Sequence, residues 1–463
     1  MLKKLNCVAG HLGVVMALAF TTTPLRISSL LLRTVSDRSR MVTTASVRGN
    51  GAVLEELDLE SNSSAQVRPV PLSGLTVAVK DSYDIAGHRT GNGSPAWRDS
   101  HPAATANASA VDKLLAGGCR IVARCVMDEM AYSIEGQNHH YGTPLNPAYN
   151  DDRIPGGSSS GTASAVAQGL ADIGLGGDTG GSVRVPAAFC GLFGIRPTHG
   201  RIDVRGSVPL SSAFDTVGLM TRDAALLETA AKVLLEGPST PLPTPVRWLV
   251  GTDAFDMCSK DVATRLYGPL SAAMGELGEV LSAPVETTVC DDGSSLVDWV
   301  DVFRVCQGHE IWRTHGEWIR TVQPDLGPGI KERFEMASGI TDEEYASMSS
   351  RRAAIAARLD KLLEGSVLMI PTVSDEAPRK GLSGTELQQL RTRTLALTSI
   401  AGLGGLPQVT IPLFPSDDAE GKGPLGISLI GSKGTDEGLL SIAVALSKRV
   451  PATDVEAGMG RVS

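Results

Sequence analysis

Brief apolar runs recur between glycines along this chain, and stretches with helical spacing separate them. Residues 75–80 (LTVAVK) and 121–126 read as buried strands, with a helix over 111–116 between them that Gly117 and Gly118 stop. Short apolar elements continue at 166–170, 192–195 and 217–220. Strands this uniformly apolar have no solvent face, so both faces of their sheet must be covered. The pattern predicts an α/β fold: a mixed central sheet with helices on both faces.

Past a Pro/Ser/Thr loop at 237–245 the composition turns helical, and 351–363 (RRAAIAARLDKLL) is the clearest amphipathic helix. Strand-like runs return at 367–370, 409–413 and 426–430 and are expected to rejoin the same sheet. The expected organisation is one large domain over residues 65–450, with a helical insertion at about 246–360 and a tail at 451–463. Residues 1–50 differ from the rest. Lys3 and Lys4 precede an apolar run over 8–20, interrupted by His11 and too short for a stable membrane span. Ser/Thr/Arg-rich, acid-poor sequence follows as far as Arg48. This composition reads as a targeting or disordered leader. Ala17, Leu18 and Ala19 supply a secretory-type cleavage site, whereas the arginines and serines fit an organellar transit peptide, plastid or mitochondrial. Organelle is preferred to secretion, with a cytoplasmic location as the alternative.

Charge sharpens the contrast. The first 50 residues carry seven basic side chains against Asp37, a net +6, while the whole chain is −9, leaving −15 for the body. An acidic body has no general field for a polyanion, and aromatic residues are too sparse for a base-stacking surface. A nucleic-acid partner is therefore not expected. The seven cysteines are scattered, odd in number and without a C-x-x-C pair, which disfavours a disulfide framework or zinc site and fits a reducing compartment.

The chemistry concentrates in residues 156–184, GGSSSGTASAVAQGLADIGLGGDTGGSVR. Gly157-Ser158-Ser159-Ser160-Gly161 matches a G-x-S-x-G elbow with Ser159 as nucleophile, and His199, His309 and His315 lie downstream as required. The elbow also needs a strand directly before it, and 149–155 is polar and loop-like. The glycine-rich run 174–182 lacks the lysine of a phosphate loop and the spacing of a dinucleotide fingerprint. Its simplest reading is a tight turn, and successive N–H groups in such a turn converge on a point that suits an oxyanion.

GGSSSG followed by GGDTGGSVRVPAAFCGLFGIRPTHG resembles the amidase signature family, and residues 74–81 (GLTVAVKD) resemble the strand that carries that family's lysine. The similarity runs from about Leu72 to Leu446, and its three parts occur in order. It implies a single α/β domain and a Ser–cis-Ser–Lys triad: Ser182 as the acyl-forming nucleophile, Ser158 as the bridging serine after a cis Gly157–Ser158 bond, and Lys80 as the base. It further implies an oxyanion hole from the N–H groups of Thr179, Gly180, Gly181 and Ser182, loop support from Asp178 and Arg184, and substrate contacts from Met130 and Ser158. Such chemistry needs a neutral lysine, so its pKa must fall by burial, for which the apolar strand before Lys80 is suited. The histidines lack ligand spacing and read as structural.

Residues 127–133 (MDEMAYS), 140–144, 315–319 and 327–330 resemble one branch of the family, the plant-type amidases that hydrolyse indole-3-acetamide. That branch implies a small primary amide, of aryl- or indole-acetamide type, converted to acid and ammonia with water alone, without cofactor or metal. The chain is compatible with a homodimer. The alternatives within the family are the A subunit of the glutamyl-tRNA(Gln) amidotransferase, a non-catalytic import receptor, whose members lose the nucleophile that this chain keeps, and fatty acid amide hydrolase.

Overall fold

Eleven strands form a single sheet: β1 (Val53–Leu59), β2 (Thr76–Lys80), β3 (Arg120–Cys125), β4 (Ile173–Asp178), β5 (Phe193–Arg196), β6 (Thr216–Thr221), β7 (Arg247–Gly251), β8 (Val285–Thr287), β9 (Ser366–Pro371), β10 (Gln408–Leu413) and β11 (Leu425–Ile430). Their order is β1-β3-β2-β4-β6-β5-β10-β11-β9-β7-β8. The sheet is mixed: β3, β2 and β4 run parallel, as do β9, β7 and β8, while the strands between are antiparallel. This computed structural model describes residues 50–60, 70–275, 277–278, 280–382, 384–414 and 422–449. The leader, save Asn50, and the tail at 451–463 lie outside the described residues.

Side-chain alternation divides the interior in two. In β9, Val367 and Met369 enter one core while Leu368 and Ile370 enter the other. In β7, Trp248 and Val250 go one way and Leu249 the other. A period-two strand that is apolar at every position must be covered on both faces, and twelve α-helices are available to do so among the described residues. Helices Ser109–Ala116, Ala224–Leu234 and Asp436–Ser447 fill the first core, and helices Leu296–Val322, Asp342–Leu362 and Gly384–Gly404 the second. Capping boxes start two of these helices. Ser295 and Asp298 exchange hydrogen bonds at one, Thr341 and Glu344 at the other. The Thr341 cap begins its helix well before the amphipathic stretch at 351–363.

Four features depart from the pattern along the chain. Strand β1 lies ahead of residue 65 and pairs antiparallel with β3. The segment 246–360 is mainly helical but also holds β7, whose successive Trp248, Leu249 and Val250 are buried on alternate faces, and β8, a short, largely exposed edge strand. Residues 166–170 are the end of helix Ser160–Ala167 and the turn after it. The glycine-rich run is only half a turn, because its first part is β4, between β2 and β6. A methyl group at Gly174 would lie 2.8 Å from Thr162 Cγ2, and one at Gly176 would lie 2.8 Å from Ser159 Oγ. Glycine there lets residues 159–167 rest directly on the strand. No helix among the described residues is long and apolar enough to cross a membrane.

Candidate active site

Lys80 ends β2 and Asp178 ends the parallel β4, so both emerge at the same edge of the sheet, where ligands of α/β proteins collect. Ser158 comes to this edge just ahead of helix Ser160–Ala167, through a cis Gly157–Ser158 peptide. Lys80 Nζ lies 2.7 Å from Ser158 Oγ and 3.4 Å from the carbonyl oxygen of Gly177. Burial lowers the Lys80 amine to about 8, against the opposing pull of Asp128, Asp178 and Asp215. As an ammonium it donates to Ser158; as a neutral amine it accepts the hydroxyl proton across the same contact.

The loop after β4 is built around Asp178. Burial works against its charge, yet Arg184 and Arg196 together hold the carboxyl well below the usual carboxylate range. Arg184 donates through Nη2 at 2.7 Å and Nε at 3.0 Å, Arg196 through Nη1 at 3.0 Å, and the N–H groups of Gly181 and Val183 at 3.0 and 3.1 Å. Thr398 clamps the loop by donating to the Gly180 carbonyl at 2.8 Å. Gly181 sits at φ +119°, and a methyl group there would lie 2.9 Å from Thr398 Cγ2, so glycine is required. Asp178→Ala should leave two buried guanidinium groups uncompensated and destabilise the fold by about 3–5 kcal/mol. A guanidinium-chloride titration measures this, and an unchanged midpoint would contradict it.

Gly181 N–H is thus committed to Asp178, whereas the N–H groups of Thr179, Gly180 and Ser182 donate to no described residue. The Ser182 hydroxyl likewise has no hydrogen-bond partner among the described residues, although Ser159 N–H donates to the Ser182 carbonyl at 3.2 Å. The two segments are therefore joined, while Ser182 and Ser158 do not share a hydroxyl hydrogen bond. Catalytic contacts often tighten only once substrate is bound.

Two acids beside Lys80 were not legible as site residues. Asp128, fully buried, donates its N–H to the Ser158 carbonyl at 3.1 Å and accepts from Gly136 N–H at 2.9 Å. Its carboxylate lies so close to Gly157 that any side chain there would collide with it. Burial raises its pKa to about 6. Asp215 accepts from Thr179 Oγ1 at 2.6 Å and from the N–H groups of Leu210 and Ser211, and burial raises it likewise to about 6. Asp128 falls inside the MDEMAYS stretch, the one signal that marked it.

A cavity of about 140 Å³ opens over the loop. Thr179, Gly180 and Ser182 line it on one side, residues 131–134 on another, and Phe303, Leu210 and Leu395 add apolar wall. Met130, expected at this surface, does not line it. Its side chain is buried in a cluster with Leu210, Ile311 and Phe334, and its sulfur receives Asn92 Nδ2 at 3.6 Å. The chain continues from it into the wall. No histidine lines the cavity. His140 bonds Glu129, His309 bonds Asp342, and His315 and His199 bond the carbonyls of Pro209 and Ser212. The segment before Ser159 is no strand, which removes the elbow.

A family model described as Amidase matches residues 44–246. Amidase 1 of Arabidopsis thaliana is 39% identical over 421 residues, covering 86% of this chain and 98% of the relative. The Pisum sativum protein named Translocon at the outer membrane of chloroplasts 64 is 36% identical over 392 residues, covering 80% of this chain and 65% of the relative. A crystal structure of an amidase superposes with a TM-score of 0.71 at 27% identity, covering 83% of this chain and 86% of that one. With the relative from Arabidopsis matched over nearly its whole length, this chain belongs to the amidase signature family and is an amidase.

Proposed function

We propose that the protein hydrolyses a small linear carboxylic amide to the acid and ammonia through an acyl-enzyme on Ser182. The observation that carries this reading is the buried, weakly basic Lys80 amine 2.7 Å from Ser158 Oγ, beside the Ser182 loop. Neutral Lys80 takes the Ser158 proton while Ser158 takes that of Ser182, whose oxygen then adds to the amide carbonyl. The carbonyl electron pair moves onto oxygen, where the N–H groups of Thr179, Gly180 and Ser182 receive it. Collapse breaks the C–N bond, and ammonia departs with the proton returned through Ser158. Water repeats the sequence on the ester, releasing the acid and restoring Ser182.

The branch motifs support a primary amide of aryl- or indole-acetamide type. Likeness to the pea translocon protein favours a second reading, a binding protein without turnover, and the amidotransferase reading requires partner subunits. Ammonia release by the isolated chain from a panel of primary amides separates them: sustained turnover supports the amidase, and none with any amide favours one of the other two readings. Failure of Ser182 to react with a fluorophosphonate as well would complete the refutation. We also propose that residues 1–50 direct the protein to an organelle. The likeness to the pea chloroplast protein supports this, and a mature protein that begins at Met1 would refute cleavage.

A further inference from the structure

Three helices each bring one arginine to the cavity beside Ser182: Arg304 from Leu296–Val322, Arg333 from Ile330–Ser338 and Arg391 from Gly384–Gly404. The residues lining it include no aspartate or glutamate. Glu135 behind the wall is the one carboxylate near two of them, 3.3 Å from Arg333 Nη2 and 3.7 Å from Arg391 Nη1. Asp301 stands 3.9 Å from Arg304 but is largely exposed, so water screens it. One partly buried carboxylate shared by two guanidinium groups leaves the cavity cationic, and low-dielectric walls focus that field. Arg391 Nε is buried without a hydrogen-bond partner, and among the described residues with such an atom Arg391 is the one that lines this cavity. Gln307 and Gln388 add neutral amide groups to the same surface. Arg333 also donates to the Tyr132 carbonyl, and Arg304 and Gln388 to Thr392 Oγ1. A wholly apolar acyl group would still leave Arg391 Nε unpaired and the remaining guanidinium charge without a counter-ion, which is costly.

We propose that the cavity takes an amide whose acyl chain ends in a carboxylate, with that carboxylate held among Arg304, Arg333 and Arg391 and the amide carbonyl at Ser182. The inference rests on the hydrolytic reading above, but not on an arylacetamide substrate. Guanidinium groups match a carboxylate in planar, bidentate geometry, and the pairing fixes which end of the molecule faces the nucleophile. Water completes the reaction, so the product is a dicarboxylic acid and ammonia.

The test compares succinamate and glutaramate with the neutral, shape-matched isocaproamide and with phenylacetamide, by ammonia release from the full-length protein at low ionic strength. The anionic amides should show kcat/KM at least about tenfold higher. Arg391→Gln should collapse that ratio mainly through KM, and Arg391→Lys should restore part of it. Neutral amides turned over as well as anionic ones, or a ratio indifferent to Arg391→Gln, would overturn the proposal. If no amide is turned over, labelling of Ser182 by a fluorophosphonate decides. Labelling slowed by succinate or glutarate supports the carboxylate subsite, labelling indifferent to them removes the subsite alone, and no labelling at all removes the hydrolytic reading with it.

Discussion

Ser182→Ala should abolish amide hydrolysis, lowering kcat at least about 10⁴-fold, while the protein stays folded. The two halves of this expectation have separate grounds. Of the two hydroxyls that the loop brings to the cavity, that of Thr179 donates to Asp215 and that of Ser182 is unengaged, so without the Ser182 oxygen no acyl-enzyme forms. The same hydroxyl has no partner among the described residues, so its loss strands no buried donor or acceptor. Ammonia release paired with a thermal melt checks both. Turnover surviving in a folded Ser182→Ala protein would remove Ser182 as nucleophile, whatever becomes of the cavity proposal.

Lys80→Met, which keeps much of the side-chain volume, should lower kcat/KM by about 10²–10⁴, and Ser158→Ala by a similar factor, because each interrupts proton transfer from Ser182. The pH profile gives the sharper reading. Only the neutral amine is a base, and burial brings its pKa to about 8. The kcat/KM should therefore rise with pH and level off above about 8. Asp128 is the first of the acids that oppose the burial, since its negative charge favours the ammonium. Asp128→Asn removes that charge, so the rising limb should move to lower pH. A limb that stays in place would show that Lys80 is not the titrating group, or that Asp128 does not govern it.

The strands that the pattern of apolar residues announced are those with several bulky residues in a row, such as β2, β9, β10 and β11. Strands β4 and β1 escaped for opposite reasons. β4 is IGLGGD, where glycine density hides a central strand whose bareness admits the neighbouring helix. β1 is VLEELDL, an edge strand with acidic residues on its exposed face. In the site, Lys80, Ser158 and Ser182 were legible because each lies in a short segment whose local geometry demands particular residues. Asp215, Arg196 and Thr398 were not, since each acts from a segment whose own sequence shows nothing of the loop it supports.

By itself the sequence marked the residues of the candidate site: two glycine-flanked serines and a strand-end lysine, with no histidine at catalytic spacing. These are local features, set by backbone conformation and nearest neighbours, and they survive transcription into a linear string. What only the tertiary structure decided is what the site receives and how it is tuned. The charge on Lys80 depends on acids from three other segments, and Gly181 N–H is taken from the expected oxyanion set by Asp178. The arginines of the cavity lie on three different helices, at positions 304, 333 and 391, without a shared motif. Electrostatic fields and cavity walls are sums over residues brought together through space. No spacing along the chain encodes them until the sheet and its helices have closed around Ser182.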